Sequence, residues 1–375
     1  MSRISRRQFG QTLAASGGVS VLDPLAKALT NSAPTNSGGL TDVPGIKVGH
    51  FTDTRRPTGC TAILFDPVAT AGVDYDGSAP GEQMGVWLQP VSPEQAIHGM
   101  LLTGGGIPAL AAVGGAVQYL QDRNLGFRLA GVPVPTFPIV VGAVISDVAI
   151  GDGRIRPDPE AAYKACVAAS TGPVAEGNVG AGAGATVGKL LRGGHGMKSG
   201  LGTASLRLGE VIIAALVVIN AVGDIVDWRT GMIIAGARRA DGKGFANTLE
   251  TMKTDLAEGK PQASLASTDP PLNSTNLVVV ATNVNFNKAE MTKIAMMANC
   301  GAARAIVPYH DPGDGDQLYA LSTNKLKVDV PTNRALLSTV GALAGEVAAE
   351  AIVRAIKAAT SIEGWPAYRD YTLKL

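Results

Sequence analysis

Two stretches restrict the fold of this chain more than any others, Val211–Ile219 (VIIAALVVI) and Leu277–Ala281 (LVVVA). Each is a short unbroken run of β-branched and aliphatic residues, with no polar position to mark a wet face. Such runs predict strands buried on both faces. A strand that is dry on both sides must lie inside a stack of layers. The chain is therefore expected to form one layered α/β domain in which helices cover stacked sheets. Neither run approaches the roughly 20 apolar residues of a membrane-spanning helix, and both are too rich in β-branched residues for one.

Other segments fit the same layout. Thr61–Phe65, Ala71–Tyr75 and Pro138–Ser146 read as strands, and Met100–Gly106 as a buried strand running into a glycine turn. Helices are expected over Pro108–Asp122, Glu160–Ala169, Lys288–Gly301 and Arg334–Ile356. The last two bracket an expected strand pair, Ala303–Pro308 and Gln317–Ser322. Residues 252–273 turn polar and proline-rich, and are predicted to be the main exposed loop. No internal repeat is evident.

The chain of 375 residues is long enough for a sizeable core. Its net charge of +1 provides no basic field to hold nucleic acid or an anionic membrane surface. Cys60, Cys166 and Cys300 are widely spaced and read as buried small hydrophobes, and an odd number leaves at least one free thiol. The first 28 residues read as a twin-arginine export signal. Ser5-Arg6-Arg7-Gln8-Phe9 is followed by an apolar stretch, Thr12–Leu22, and an A-x-A site at Ala26-Lys27-Ala28. This predicts a periplasmic bacterial protein exported in folded form. Residues 29–42, rich in Ser, Thr, Asn, Pro and Gly, read as a linker, and residues 43–375 as a single domain.

Several chemistries drop out. With four histidines, no HExxH and no paired-histidine spacing, no metal site or other cofactor is expected. There is no G-x-S-x-G nucleophile elbow. Gly182–Lys189 resembles a phosphate loop but has Ala183 in place of the first glycine and Leu190 after the lysine. What remains is a hydroxyl residue where the polar loop meets the Val-rich strand, at Ser274-Thr275. In most proteins such a residue only starts a strand. If the bond before it were cut, however, the new terminus would carry a hydroxyl and an α-amine on one residue. An amine with a pKa near ~8 is partly neutral at pH 7 and can serve as base for its own hydroxyl, with no histidine needed.

Seven motifs in one order make the chain resemble the self-processing L-aminopeptidase/D-esterase family, which includes β-peptidyl aminopeptidases and nylon-oligomer hydrolases. They are Pro57–Thr61, Ala71–Asp74 with Ala79–Gly81, Leu101–Gly106, Gly180–Lys189, Val217–Gly223, Val278–Asn283 and Gly313–Asp316. The resemblance implies a four-layer αββα sandwich of the N-terminal-nucleophile type. It also implies self-cleavage into an α-chain, 43–274, and a β-chain, 275–375. Counting back eight residues from Asn283 gives Thr275 as the nucleophile. The Asn273-Ser274-Thr275 run keeps Ser274 as an alternative, but choosing it would turn the strand's side chains over without a bulge.

The resemblance further implies roles for Lys189 as a cation beside the nucleophile, Asn220 as an oxyanion donor, and Asp314 and Asp316 as the acids that orient nucleophile and amine. Asn276 departs from the threonine usual after the nucleophile, and Ser146 replaces a tyrosine found in several members. The expected activity is removal of N-terminal residues, including β- or D-amino acids, from short peptides, amides or esters by a homo-oligomer, a tetramer or octamer. Acyl transfer of the acetyl-ornithine type, endo-cleavage of linear oligoamides and a non-catalytic periplasmic binding module are the alternatives.

Overall fold

Along Leu277–Val284 every side chain is buried, and successive residues serve different cores. Val278, Val280 and Val284 join one apolar cluster with Ile294, Ala298 and Val347. Leu277, Val279 and Ala281 join another with Ile63, Met100 and Val141. Side chains alternate across a strand, so this one separates two dry compartments.

The computed structural model describes residues 38–94, 96–189, 195–260, 274–328 and 330–371. The expected export signal and residues 29–37 lie outside them. The strands are β1 (Ile46–Thr52), β2 (Gly59–Asp74), β3 (Glu82–Gln83), β4 (Ala96–Thr103), β5 (Val140–Val144), β6 (Thr186–Val187) and β7 (Met197–Lys198). They continue with β8 (Leu201–Leu208), β9 (Val211–Val218), β10 (Asp224–Val226), β11 (Ile233–Ala235), β12 (Leu277–Val284), β13 (Ile306–Val307) and β14 (Gln317–Leu326). The α-helices are α1 (Val113–Gln121), α2 (Pro159–Val167), α3 (Thr248–Ala257), α4 (Lys288–Ala302) and α5 (Val330–Ala358).

Among the described residues, nine strands share one mixed sheet in the order β3-β5-β4-β2-β14-β12-β9-β8, with β1 also on β2. The long strand β2 joins its two halves. Cys60–Leu64 pair with both β1 and β4, the register slips between Leu64 and Ala69, and Thr70–Asp74 pair with β14. The halves face each other across a shared core of Ile63, Met100, Val141, Leu216, Val279 and Leu321. α4 and α5 cover the outer face of one half. α1 and α2 cover the other, where Ala62, Leu64 and Val140 meet Val113, Ala116 and Ala162. The architecture is the expected four-layer αββα sandwich, with both sheet layers drawn from one hydrogen-bonded sheet. The two covering helices cross tightly: a Cβ at Gly301 would lie 2.1 Å from the Gly345 carbonyl oxygen, so only glycine fits there. From Arg334 to Ala358, α5 is long and apolar enough to cross a membrane, but most of its most apolar window is buried against the sheet.

The structure corrects several expectations. The domain begins before Val43: Leu40–Asp42 form a 3-10 turn, and Leu40 is fully buried with its N–H on Thr203 Oγ1 at 2.9 Å. The loop expected over 252–273 starts inside α3, a mostly polar helix capped by the Asn247 side chain, and residues 261–273 lie outside the described residues. Low apolar content hid that helix, since only Thr248 of α3 is buried. The helix expected from Pro108 opens with a 3-10 segment, Ile107–Ala112. Ala303–Pro308 and Gln317–Ser322 do not pair. β13 joins β10 in a small separate sheet, while β14 lies between β2 and β12. Cys60 and Cys166 are buried as expected, whereas Cys300 is exposed.

Candidate active site

β12 and β14 run parallel, with Leu277 opposite Gln317. The loops that precede them, Ser274-Thr275-Asn276 and Gly313-Asp314-Gly315-Asp316, are therefore delivered to the same end of the sheet. β9 runs antiparallel to β12 and ends with Val218 opposite Leu277, which brings Asn220 to that end as well. Three segments far apart in sequence meet because adjacent strands must start or stop together.

Asn276 ties these segments together. Its side-chain oxygen accepts the Asn220 N–H at 3.0 Å, and its Nδ2 donates to Asp316 Oδ1 at 2.8 Å. Its own N–H donates to the same Asp316 oxygen at 2.9 Å, and Gln317 N–H donates to its carbonyl at 3.0 Å. In the sequence Asn276 stood out only as a departure from the family pattern. In the structure it fastens β9, β12 and β14 at the candidate site, an arrangement no local pattern could have revealed.

Thr275 is 6% exposed, and its hydroxyl donates to the Ser274 carbonyl oxygen at 2.5 Å. The Gly315 N–H lies 3.4 Å from that same oxygen, a long contact. Thr275 N–H donates to the Asn220 main-chain carbonyl at 3.1 Å. Gly315 comes so close that an added Cβ would sit 2.6 Å from Thr275 Oγ1.

Lys189 reaches the cluster from just after β6, between the two strands of the small pair. Its Nζ donates to Asn220 Oδ1 at 2.6 Å and to the Asn220 main-chain oxygen at 3.0 Å. Lys189 Nζ and Thr275 N thus share one acceptor. Burial lowers the Lys189 pKa to about 7, against the opposing charges of Asp314, Asp147 and Asp316. Asn220 Oδ1 also accepts the Thr186 N–H at 3.1 Å, and Nδ2 donates to the Ser146 carbonyl at 3.3 Å.

The two acids differ. Asp316 Oδ1 takes both donors of Asn276, and Oδ2 takes the His310 N–H at 3.1 Å. Asp314 accepts the Gly315 N–H at 2.8 Å, and burial together with the charge of Asp316 holds its carboxyl well above the usual range. His310 is in a left-handed conformation, φ 60°, with its ring between Asp316 and Asp76. All five residues expected from the sequence meet at this end of the sheet; Asn276, Gly315 and His310 are additions.

A cleft of about 440 Å³ opens above Ser274 and Thr275. Its walls include Ile107, Pro108, Val144, Ser146, Val148 and Arg156. One wall is braced from behind by a buried ion pair, Arg56 Nη2 to Asp147 Oδ1 at 2.7 Å. Arg56 Nη1 also donates to the carbonyls of Asp147 and Ile150 at 2.9 and 3.1 Å.

Residues 38–368 match peptidase family S58. An uncharacterised aminopeptidase of Mycobacterium leprae is 34% identical over 363 residues, 90% of this chain and 94% of its own. A 6-aminohexanoate-oligomer endohydrolase of Kocuria sp. is 31% identical over 327 residues, 84% of this chain and 85% of its own. Among solved structures, a Burkholderia sp. beta-aminopeptidase superposes with a TM-score of 0.61 at 22% identity, covering 90% of this chain and 91% of that one. An L-aminopeptidase D-Ala-esterase/amidase of Ochrobactrum anthropi, described as a variant of the Ntn-hydrolase fold, gives 0.60 at 23% identity, covering 89% and 90%. At these identities the two structures speak for the fold.

Proposed function

The chain belongs to peptidase family S58, a family of hydrolases, and from that premise we propose that it cuts itself before Thr275 and then hydrolyses short amides with the freed residue. The observation that carries this reading is the Thr275 hydroxyl lying 2.5 Å from the Ser274 carbonyl oxygen, with the Gly315 N–H directed at that oxygen. The hydroxyl sits beside the peptide group it would attack, and the Gly315 N–H, which donates to Asp314 Oδ1 at 2.8 Å, is a second donor near the oxygen where charge would develop.

Self-cleavage happens in the intact chain, where the Thr275 nitrogen belongs to a peptide bond and is no base. The hydroxyl proton must go to another group. Lys189, with a pKa of about 7 and its Nζ on the same Asn220 carbonyl as Thr275 N, fits that role. As Oγ1 attacks, charge builds on the Ser274 oxygen beside the Gly315 N–H. Collapse of the adduct, with Lys189 passing the proton it took to the Thr275 nitrogen, breaks the Ser274–Thr275 amide and leaves an ester, which water hydrolyses to a Ser274 carboxylate and a free Thr275 amine.

In the mature enzyme that neutral amine, held by the Asn220 carbonyl, takes the Oγ1 proton as the oxygen attacks a substrate carbonyl. Lys189 in its charged form keeps the neighbouring amine from protonating. The amine then protonates the leaving nitrogen, and water releases the acyl group. Asn276 and Asp316 hold Thr275 in register with Asn220. Removal of N-terminal residues from short peptides or amides is the primary activity. Endo-cleavage of linear oligoamides is the second reading, supported by the relative of that name at 31% identity. The signal read in residues 1–28 would place the folded enzyme in the periplasm, where it would work as a homo-oligomer.

Intact mass and N-terminal sequencing of the purified protein test the reading, together with turnover of an alanine p-nitroanilide. The expected result is a fragment beginning at Thr275 and release of nitroaniline. An uncut chain that turns the substrate over would defeat the mechanism.

A further inference from the structure

We propose that Arg156 anchors a carboxylate of the substrate, so that the cleft above Thr275 selects short amides ending in a free acid. This rests on the hydrolase reading above and adds the substrate class. The walls near the nucleophile are apolar, with Ile107, Pro108, Val144 and Val148 among them. Among the described residues lining the cleft, Arg156 is the one ionisable side chain. Among these lining residues a substrate carboxylate would meet a guanidinium and no opposing carboxylate.

The Arg156 side chain is exposed, so its terminal amino groups are open to a ligand. Its Nε donates to the Gly153 carbonyl at 3.2 Å, and no carboxylate among the described residues pairs with its two terminal amino groups. The acid of its own loop, Asp152, is taken by Arg154 at 2.8 Å. The backbone beneath is fixed: Ile155 N–H donates to Asp152 O at 3.0 Å, Arg56 Nε donates to Ile155 O at 2.6 Å, and Pro157 is buried. The Arg156 stem lies against Gly105, where an added Cβ would be 3.2 Å from Arg156 Cβ. Two parallel N–H donors match a carboxylate's two oxygens, and a loop held in place beforehand loses less entropy on binding. The substrate's carboxylate sits at the rim and its scissile carbonyl at Thr275, with an apolar spacer along the walls between them. At about 440 Å³ the cleft is in the range of small-molecule sites, which limits the spacer to a few residues.

The test is a matched pair, Ala-Leu-Ala and Ala-Leu-Ala-amide, with an alanine p-nitroanilide as a substrate that has no carboxylate. Wild type is expected to prefer the acid over its amide. Arg156→Gln is expected to reduce that preference roughly ten-fold or more, through KM rather than kcat, and Arg156→Lys to restore part of it. Turnover of the nitroanilide without an acid preference in wild type, or equal loss on both peptides in Arg156→Gln, would overturn the anchor and leave the hydrolase standing. Failure to turn over any of the three would overturn both readings.

Discussion

The hydroxyl of Thr275 lies 2.5 Å from the carbonyl oxygen of Ser274, the residue before it in the chain. Substitution separates Thr275 from Ser274, the other candidate nucleophile. Thr275→Ala is expected to remain one polypeptide and to be inactive. Ser274→Ala is expected to be cut at the same bond, giving a fragment that begins at Thr275. Denaturing electrophoresis with N-terminal sequencing reads both outcomes. Cleavage of Thr275→Ala before residue 274 would move the chemistry to Ser274.

Asp314 and Asp316 stand two residues apart but are expected to respond differently to amidation. Asp316 accepts from three donors with its two oxygens, and an asparagine cannot accept at both ends. Asp314 is held toward its protonated form by burial and by Asp316, and an asparagine copies a neutral acid's shape. Asp316→Asn is therefore expected to lower kcat/KM at least about ten-fold further than Asp314→Asn, as expected for a lost charge-assisted pair. The reverse order in steady-state rates would contradict the assignment.

The layers were legible because strand composition is a direct record of burial. Val211–Ile219 and Leu277–Ala281 had no polar face, and both lie inside the sandwich as β9 and β12. Lys288–Gly301 matches α4 almost to the residue, helped by an Asn287–Glu290 capping box. Pairing partners were not legible. β13 has two residues, too few for any periodic pattern, and it joins β10 rather than β14. Thr275, Lys189, Asn220, Asp314 and Asp316 could be named through a family resemblance. Asn276, Gly315, His310 and the Arg56–Asp147 pair gain their roles from contacts between distant segments, and local spacing carries no trace of them.

Lys198 predicts how stability varies with pH. Its side chain is fully buried, and its Nζ donates to the carbonyls of Gly182 and Ala185 at 3.2 and 3.0 Å and also to that of Ser199. Burial lowers its pKa from 10.5 to about 7. The unfolded chain keeps this proton up to pH 10.5, while the folded protein gives it up near 7. Between those values the unfolded state binds more protons, so stability rises with pH, by up to about 1.4 kcal/mol per unit for one such group. Below pH 7 both states hold the proton and the penalty is present in full. Lys189, shifted in the same direction, adds to the slope. Urea midpoints from pH 7 to 9.5 are expected to climb in wild type and to climb less steeply in Lys198→Met. Equal slopes in the two proteins would mean that this lysine does not titrate in that range.

The Arg56–Asp147 pair should link stability to turnover. Both side chains are almost wholly buried, at 1% and 0% exposure. Replacing Arg56 by methionine leaves a carboxylate in a dry wall with the Gly105 N–H, at 2.9 Å, as its remaining hydrogen-bond donor among the described residues. Stranding a buried charge typically costs about 3–5 kcal/mol, far more than an exposed pair would. Adding Asp147→Asn removes that charge, so the double variant is expected to regain part of the loss, as a shift of the urea midpoint at constant slope. Activity should recover less. Arg56 also holds the carbonyls of Asp147 and Ile150, and that segment carries Ser146 and Val148 of the cleft wall, with the Ser146 carbonyl receiving Asn220 Nδ2. A displaced wall misplaces both substrate and Asn220, and errors of about 1 Å can lower rates on the order of a hundred-fold. Full recovery of kcat/KM in the double variant would show that Arg56 only neutralises Asp147 and does not position the wall.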